Sequence, residues 1–360
     1  MFKNGAYYNG IGPYLKERFG TRAAKVSIDG GFTCPNRDGT AGTGGCIFCS
    51  ETGSGDFAGM RILKSQSPPK AGGFDVPAQS SQKTVLRPVP PVTEQMDVQI
   101  GILRKKWPDF RCIAYFQNFT NTYAPVPLLK ERFEEALLHP LCVGLAVATR
   151  PDCLGPEVID YLTDLNDRTF LWVELGLQTS DEASARHIRR GYPFSVYEEA
   201  VTQLTARGIR VVTHLIAGLP GEDRSIFLSS VRRTVSDDIF GIKLQLLHLM
   251  ENTDLGRLWQ KQQRSSSSDS RADNSVHSPK EVQRESPSFP QIRPLERDEY
   301  ISWIADALEI IPPQITIHRL TGDAPKDTLL SPLWSRDKKS VLNGINMELK
   351  KRGSCQGIHV

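Results

Sequence analysis

Short, nearly continuous apolar runs alternate along the chain with segments of helical periodicity. Runs of this kind are typical of strands in a parallel sheet that is buried on both faces. Six strands are predicted, at residues 26–28, 112–116, 143–148, 170–177, 209–216 and 242–249. The alternation with helices therefore predicts an α/β fold of six β/α units, which suits an incomplete (β/α)6 barrel.

Capping signals mark several predicted helices between these strands. Thr179-Ser-Asp-Glu182 and Ser195-Val-Tyr-Glu198 both match the capping-box pattern. The second helix is predicted to end at Gly208. Residues 1–20 are interpreted as a lead-in with a turn at residues 10–13.

Composition divides the chain into a barrel and an extension. Residues 65–93 and 263–291 are rich in Ser and Pro and lack periodicity, so we predict that both are disordered insertions. The predicted barrel spans residues 1–262, including the first insertion. Residues 292–360 form a predicted C-terminal α/β extension packed on the barrel, with a helix at 296–310, a strand at 315–318 and a last helix whose apolar face holds Val341, Ile345 and Leu349.

The stretch with the strongest chemical signal is Cys34-Pro-Asn-Arg-Asp-Gly-Thr-Ala-Gly-Thr-Gly-Gly-Cys46-Ile-Phe-Cys49. Three cysteines fall within sixteen residues, and the next cysteine is Cys112. A structural zinc site or a plant-type ferredoxin needs four ligands. A [4Fe–4S] cluster held by three cysteines keeps one iron open to a small ligand, and the four glycines of the stretch favour the tight backbone that such a cluster needs.

Two other interpretations of the cysteines stay open. The Cys46–Cys49 pair matches a zinc knuckle with histidine as a further ligand, or a dithiol redox motif that leaves Cys34 unexplained. The seven cysteines are odd in number and three are clustered, which argues against a disulfide framework and favours a reduced, cytoplasmic compartment. No run of eighteen apolar residues or signal-peptide pattern predicts a membrane association.

Charge adds one hypothesis about partners. The net charge is +3, but residues 1–37 hold six Lys or Arg against two acids, and residues 319–352 hold eight against four. Two basic ends around an acidic middle could form one patch for a polyanion. The alternative is an ordinary solvated surface.

The motifs resemble a known family. C-P-N-R-D-G-T and G-G-C-x-F-C-S at residues 34–50, G-S-G-D-F-A-G at 53–59 and H-R-L-T-G-D-A-P at 318–325 are similar to the radical S-adenosylmethionine (radical SAM) proteins typified by bacterial YhcC and YtqA. That family resembles the catalytic subunit of Elongator in its core. The resemblance implies an incomplete TIM-type radical SAM barrel, a [4Fe–4S] cluster on Cys34, Cys46 and Cys49, and S-adenosyl-L-methionine as cofactor.

The resemblance also proposes residues for the cofactor. Polar segments after the strands supply the candidates, because in a barrel they face one mouth. The candidates are Gln117, Thr120, Asn121, Arg150, Glu174, Gln178, Gly218 and Gly221. Alternatives stay open for several: the amide loop at 117–123 could satisfy its own backbone, and Glu174, in a run that should be buried, could form a structural salt bridge.

Candidates for catalysis are fewer. Cys153 could point into the mouth or be a small buried hydrophobe, whereas His318 and Arg319 are predicted to lie on a loop near the substrate. The resemblance implies an enzyme that modifies transfer RNA at the wobble uridine, converting carboxymethylaminomethyl to aminomethyl, with a flavodoxin- or ferredoxin-type electron donor. The rival functions are an iron–sulfur electron-transfer protein and a zinc-stabilised RNA-binding module.

Overall fold

The computed structural model describes residues 2, 5–51, 53, 87–236, 238–269 and 289–360. Most of the two predicted insertions, and all but Gly53 of the predicted motif at 53–59, lie outside these residues.

A curled parallel sheet of seven strands forms the centre of the fold, in the order β1-β2-β3-β4-β5-β6-β8. A two-stranded antiparallel pair, β7 and β9, lies beside it. The strands span Ala23–Ile28 (β1), Arg111–Phe116 (β2), Cys142–Thr149 (β3), Phe170–Gln178 (β4), Arg210–Ala217 (β5), Gly241–Leu246 (β6), Leu249–Met250 (β7), Thr316–Arg319 (β8) and Leu329–Ser331 (β9). All six strands predicted for the barrel are present, and the prediction of a partial TIM-type barrel is confirmed.

Helices cover the outer face of this sheet. They span Ile11–Phe19 (α1), Val92–Arg104 (α2), Val126–Leu137 (α3), Pro156–Arg168 (α4), Glu182–His187 (α5), Phe194–Thr205 (α6), Arg224–Val235 (α7), Asp254–Asp269 (α8), Arg297–Ile310 (α9) and Lys338–Arg352 (α10). The largest apolar cluster joins these helices to one set of alternating strand residues, such as Cys112, Ala114 and Phe116 on β2. Alternation along each strand then sends the other set of side chains to the inside of the barrel.

A second apolar cluster closes the inside of the barrel at the N-terminal ends of the strands. Tyr14 and Phe19 of α1 contact Phe170, the first residue of β4. Phe240 and Trp172 complete this aromatic plug. The prediction of a turn at residues 10–13 is wrong, because α1 starts there and its apolar face has a barrel end to cover.

The first described residues are joined to the end of the chain. Gly10 forms a parallel bridge with Ile317 of β8, and the Ile317 amide donates to the Asn9 carbonyl at 2.7 Å. The Gln356 side chain accepts from the Asn9 amide at 2.8 Å, and its backbone amide donates to the Tyr7 carbonyl at 2.9 Å.

The predicted extension is part of the barrel rather than an addition to it. The strand predicted at 315–318 pairs with β6 as the seventh strand of the main sheet. On α10 the three buried residues are Val341, Ile345 and Leu349, as the periodicity predicted. Because β8 needs β6 as its partner, residues 292–360 complete the sheet.

Several predicted boundaries differ from the structure. Helix α2 begins at Val92 and α8 continues to Asp269, both inside stretches predicted as disordered. Arg87 donates to Asp29 at 2.6 Å, so the end of the first insertion is anchored to the barrel. The capping box at Ser195 is wrong, because α6 starts one residue earlier with Pro193 as N-cap. None of the described helices is both long and apolar enough to cross a membrane.

Candidate active site

An open cavity lies at the C-terminal ends of the strands, where polar loops meet. The loop after β1 forms one wall, and the ends of β2 to β6 form the floor and far side. Residues from the segment after β8, including Asp323 and Ala324, form part of its rim. This is the end at which barrel enzymes place their active sites.

The predicted metal ligands all face this cavity. Cys34, Cys46 and Cys49 line the same wall, and all three are partly buried and free of disulfide bonds. Among the described residues, no three His, Cys, Asp or Glu side chains converge on a point where they would hold a single metal ion. A zinc ion needs such convergence, whereas a four-iron cluster offers each cysteine its own iron. Three thiols on one wall fit a cluster in which each cysteine binds a separate iron.

The loop that carries the cysteines, residues 34–50, is held by its own backbone. The Arg37 amide donates to the Cys34 carbonyl at 2.9 Å, and the Cys49 amide to the Cys46 carbonyl at 2.9 Å. Of the glycines predicted to relax this backbone, Gly45 has a φ of +85°. Gly42 is required for steric reasons instead, because a Cβ there would lie 2.3 Å from the side-chain oxygen of Asn36.

Asn36 also supports a cysteine directly. Its side-chain nitrogen lies 3.4 Å from Cys46 Sγ and 2.6 Å from the carbonyl of Arg189, to which it donates. Burial raises the pKa of Cys46 to about 12, with smaller contributions from the neighbouring thiols. A thiol whose pKa is raised in this way is protonated near pH 7 and is therefore a weak nucleophile while it is free.

The residues of the predicted amide loop after β2 have two different roles. Gln117 and Thr120 line the cavity. Thr120 is 1% exposed, and its hydroxyl has no hydrogen-bond partner among the described residues. Such an orphaned hydroxyl fits a polar ligand in the cavity. Asn121 instead donates to the carbonyls of Asn118 and Ala148, so it serves its own backbone and does not line the cavity.

Arg150 and Gln178 reach the cavity from β3 and β4. Arg150 forms a two-point pair with Asp152, at 2.9 and 2.6 Å, and stacks on the ring of Tyr192. Gln178 has a φ of +67°, unusual for a residue with a side chain, at a register shift that ends β4. Its cofactor contact and that of Arg150 stay predictions.

Glu174 lies at the centre of a buried group inside the barrel, which we call the charged layer: Lys25, Glu174, His214 and Lys243. Glu174 is fully buried and is paired with Lys243, with Lys25 at 3.6 Å and with His214 at 3.0 Å. It also accepts from the Trp172 indole at 2.9 Å. The structural salt bridge is therefore present, although Glu174 also lines the cavity.

Burial and mutual contacts shift the pKa values of the residues in the charged layer. The two lysines hold the pKa of Glu174 well below its usual value, although burial alone would raise it. Burial lowers the pKa of Lys243, and Glu174 opposes that change. Burial and the adjacent lysine lower the pKa of His214 to about 4, so this imidazole is neutral near pH 7.

Two predicted glycines lie away from the cavity. Gly218 and Gly221 have φ values of +84° and +81°, and neither is among the residues that line it. A Cβ at Gly218 would lie 3.0 Å from the Leu295 side chain, and one at Gly221 would lie 3.2 Å from Pro290. These glycines give room for the segment that leads into α9, and their contact with the cofactor stays a prediction.

The three catalytic candidates lie in different places, and only one of them lines the cavity. His318 lies on β8 rather than on a loop, with its ring 5.5 Å from the rings of Trp172 and Phe240, so it belongs to the aromatic plug. Cys153 is partly buried next to Asp152 and does not line the cavity. Arg319 does line it and is paired with Asp323 at 3.0 Å. Asp323 is also paired with Lys338, the first residue of α10.

Sequence reasoning missed both lysines of the charged layer. Lys25 and Lys243 interrupt apolar runs on β1 and β6, the same signal that selected Glu174 on β4. Lys243 is 2% exposed and donates to the Tyr115 hydroxyl at 2.9 Å. The signal was present, and a buried lysine next to a buried glutamate predicts their pairing.

Comparison with known proteins agrees with this architecture. A family model described as the radical SAM superfamily matches residues 38–233, and a model of the radical SAM C-terminal domain matches residues 290–351. The uncharacterized protein YtqA of Bacillus subtilis (strain 168) is 41% identical over 350 residues, which is 97% of this chain and 92% of YtqA.

Two further similarities extend beyond these matches. A tRNA uridine(34) acetyltransferase of Dehalococcoides mccartyi (strain CBDB1) is 27% identical over 214 residues, 59% of this chain and 39% of that protein. The structure of the archaeal Methanocaldococcus infernus Elp3 with an N-terminal deletion superposes with a TM-score of 0.56 at 17% identity, covering 74% of this chain and 60% of that one. At that identity the superposition shows a shared fold.

Proposed function

Because this chain belongs to the radical SAM superfamily, whose members hold a [4Fe–4S] cluster and S-adenosylmethionine, we propose that it modifies the wobble uridine of transfer RNA. The reaction proposed is conversion of the carboxymethylaminomethyl substituent to aminomethyl. The observation that carries the enzymatic part is the cavity itself, which joins three cysteines on one wall to polar strand ends on the others.

When bound, the cluster and S-adenosylmethionine would supply one-electron radical chemistry at the substrate. This chain supplies the ligands Cys34, Cys46 and Cys49 and a wall that orients what enters. Thr120 and Gln117 present polar groups beside the cysteine loop. An electron donor of flavodoxin or ferredoxin type is expected as a partner.

The transfer RNA part rests on weaker support. The similarity to the tRNA uridine(34) acetyltransferase covers 59% of this chain, so a relative that acts on this nucleotide shares part of the sequence. A base inside an RNA stack must leave it to reach a barrel interior, and an open cavity admits such a base. Lysines near the rim would hold the phosphates.

The structure narrows the set of lysines that could bind the phosphates of transfer RNA. The basic N-terminal segment does not form one patch: α1, with Lys16 and Arg18, closes the opposite end of the barrel, whereas Arg37 lines the cavity. Helix α10 starts at the rim with Lys338 and Lys339 and ends at Arg352, which pairs with Asp306 of α9. Fifteen helical residues span about 22 Å, so Lys350 and Lys351 lie far from the mouth.

Nucleoside analysis tests the substrate. We expect transfer RNA from cells lacking this protein to accumulate carboxymethylaminomethyl-uridine and to lose aminomethyl-uridine and its derivatives, measured by mass spectrometry. Purified, reduced enzyme with S-adenosylmethionine should restore aminomethyl-uridine on that RNA, and the Cys49→Ala variant should not. Unchanged nucleosides in the deletion strain would contradict the proposed substrate.

A matched pair of variants tests the docking of RNA. Lys338→Gln/Lys339→Gln changes the rim, whereas Lys350→Gln/Lys351→Gln makes the same change at the other end of the same helix. We expect the first to weaken transfer RNA binding about tenfold at low salt, with a smaller loss at high salt, and the second to change it less than twofold. Equal effects would place the RNA elsewhere.

A further inference from the structure

On the side of the cavity that faces away from the cysteine loop, two basic and two acidic residues line the wall, Lys243 and Arg319 with Glu174 and Asp323, and two more basic residues, Lys25 and Lys338, lie behind the acids. Glu174 is the one carboxylate shared by Lys25 and Lys243, and Asp323 is shared by Arg319 and Lys338. Among the described residues that line the cavity there is no third acid. Each carboxylate is therefore shared by two basic side chains, one of which, Lys243 or Arg319, lines the cavity.

Neighbouring side chains do not change this balance of charge. His214 and His248 line the same region, and burial lowers the pKa of each to about 4, so neither adds or removes charge near pH 7. The Tyr115 hydroxyl accepts from Lys243 and carries no charge. Lys25 donates no hydrogen bond to the described residues, although its nitrogen is buried. Lys243 and Arg319 are cross-strand neighbours on β6 and β8, and each shares its acid with another basic residue, so together they offer a site for an anion in the cavity.

The position of Lys243 and Arg319 indicates which anion. Lys243 is on β6 and Arg319 on β8, at the opposite edge of the sheet from β1, whose following loop holds the cysteines. On the cysteine side, Arg37 donates to the carbonyls of Cys49 and Ser50, and Arg150 is paired with Asp152. S-adenosylmethionine would bind beside the cluster on the cysteine side, and Lys243 and Arg319 would then face the part of the cavity that remains for substrate.

We propose that Lys243 and Arg319 bind a carboxylate on the substrate and make the enzyme selective for an acidic substituent. This inference rests on the proposed function and deepens it, because the carboxymethylaminomethyl group ends in a carboxylate. The two residues are specificity determinants in this proposal. Lys25 and Lys338 keep Glu174 and Asp323 neutralised while the other two cations engage the ligand.

Two nucleosides test the site without any turnover. One is 5-carboxymethylaminomethyl-uridine, and the other is its primary amide, which has the same size and the same amine but no carboxylate. Both would be titrated calorimetrically into reconstituted enzyme holding its cluster and S-adenosylmethionine, without reductant. A charge-assisted hydrogen bond is worth about 1.5–3 kcal/mol, so the wild type should prefer the acid by roughly tenfold or more.

The variants Lys243→Met and Arg319→Gln should each reduce that preference about tenfold while leaving affinity for the amide unchanged. Neither leaves an acid unpaired, because Lys25 remains beside Glu174 and Lys338 beside Asp323. Arg319 is 31% exposed in its side chain, so its loss should not impair folding even if Lys243→Met does. Lys351→Gln serves as the control with the same loss of charge.

The outcomes separate this inference from the proposed function. Equal wild-type affinity for acid and amide overturns the inference, even if transfer RNA is converted. A preference for the acid that both variants lose supports the site, even if transfer RNA is not converted and the proposed reaction fails. If the variants instead lose affinity for S-adenosylmethionine itself, the cations hold the cofactor's carboxylate and the inference is wrong.

Discussion

The cysteine wall and the charged layer face one cavity but are built in opposite ways. The wall comes from one continuous loop, partly exposed and held by backbone hydrogen bonds among its own residues. The charged layer comes from four strands far apart in sequence, and its glutamate and Lys243 are almost completely buried. The loop can therefore lose its side chains without loss of the fold, whereas the layer is part of what holds the barrel together.

The largest effect should come from the cysteines. Replacing Cys34, Cys46 or Cys49 by Ala should take iron content from about four per chain to nearly none, because no other described residue lines the wall with a thiol. Iron and sulfide analysis after anaerobic reconstitution measures this, and circular dichroism should show an unchanged fold. Cys112→Ala and Cys355→Ala are controls that should keep the cluster. Iron retained in any of the three variants would contradict the ligand set.

Glu174→Gln should have the next largest effect, on stability. It leaves Lys25 and Lys243 buried without a carboxylate, which costs about 3–5 kcal/mol in the free energy of unfolding. Glu134→Gln is the matched control, because it breaks an exposed pair with Arg168 and should cost less than about 1 kcal/mol. Denaturant unfolding measures both.

The double variant Glu174→Gln/Lys243→Met should recover part of that loss, since it removes one of the stranded cations. Equal costs for Glu174→Gln and Glu134→Gln would show that the charged layer does not support the barrel.

Acid should weaken the fold through the buried histidines. The pKa of His214 and of His248 is lowered to about 4 by burial, from about 6.5 in the unfolded chain. The stability they provide is complete above pH 6.5 and is lost as the pH falls towards 4, by up to about 3 kcal/mol each.

His248→Gln tests this, because glutamine can keep the hydrogen bond to Ser335 without titrating. Its unfolding free energy should fall less between pH 7 and pH 5 than that of the wild type. His359→Gln, at a histidine whose side chain is 63% exposed, should follow the wild type, and parallel curves for all three proteins would refute the expectation.

The smallest effect should come from the Ser/Pro-rich stretch. Replacing residues 270–288 by Gly and Ser of equal length should change iron content not at all and the unfolding free energy by less than about 0.5 kcal/mol. Extending the replacement to residue 292 should cost more, because Ile292 is 3% exposed and packs with Leu255. A large loss from the shorter replacement would show that this stretch belongs to the core.

Local patterns explain what could be predicted from the sequence. The strands and the face of α10 depend on spacing along the chain, so they were found within a few residues. The cysteine loop is contiguous, so the sequence alone brings its three candidate ligands together, and all three line the cavity. Pairing between distant strands has no local signal, which is why β8 was assigned to an extension packed on the barrel and not to the main sheet.

The surroundings of Gly218, Gly221, His318 and Arg319 could not be predicted from local patterns. Gly218 and Gly221 carry the sequence signature of close backbone approach, but that signature does not say whether a ligand or Leu295 approaches. His318 and Arg319 are adjacent on a strand, so one side chain enters the plug and the other the cavity. Only the register of β8 against β6 decides which one does.

The bridge between Gly10 and Ile317, with Gln356 bonded to Tyr7 and Asn9, has a consequence for synthesis. A chain leaves the ribosome from its N-terminus, so β1 to β6 are available long before residue 317 or 356. During that interval the first residues lack their partners, and one edge of the sheet stays unpaired. Residues 9 and 10 can therefore pair only after residue 317 has been made, and a premature stop before residue 317 leaves an open edge that invites aggregation.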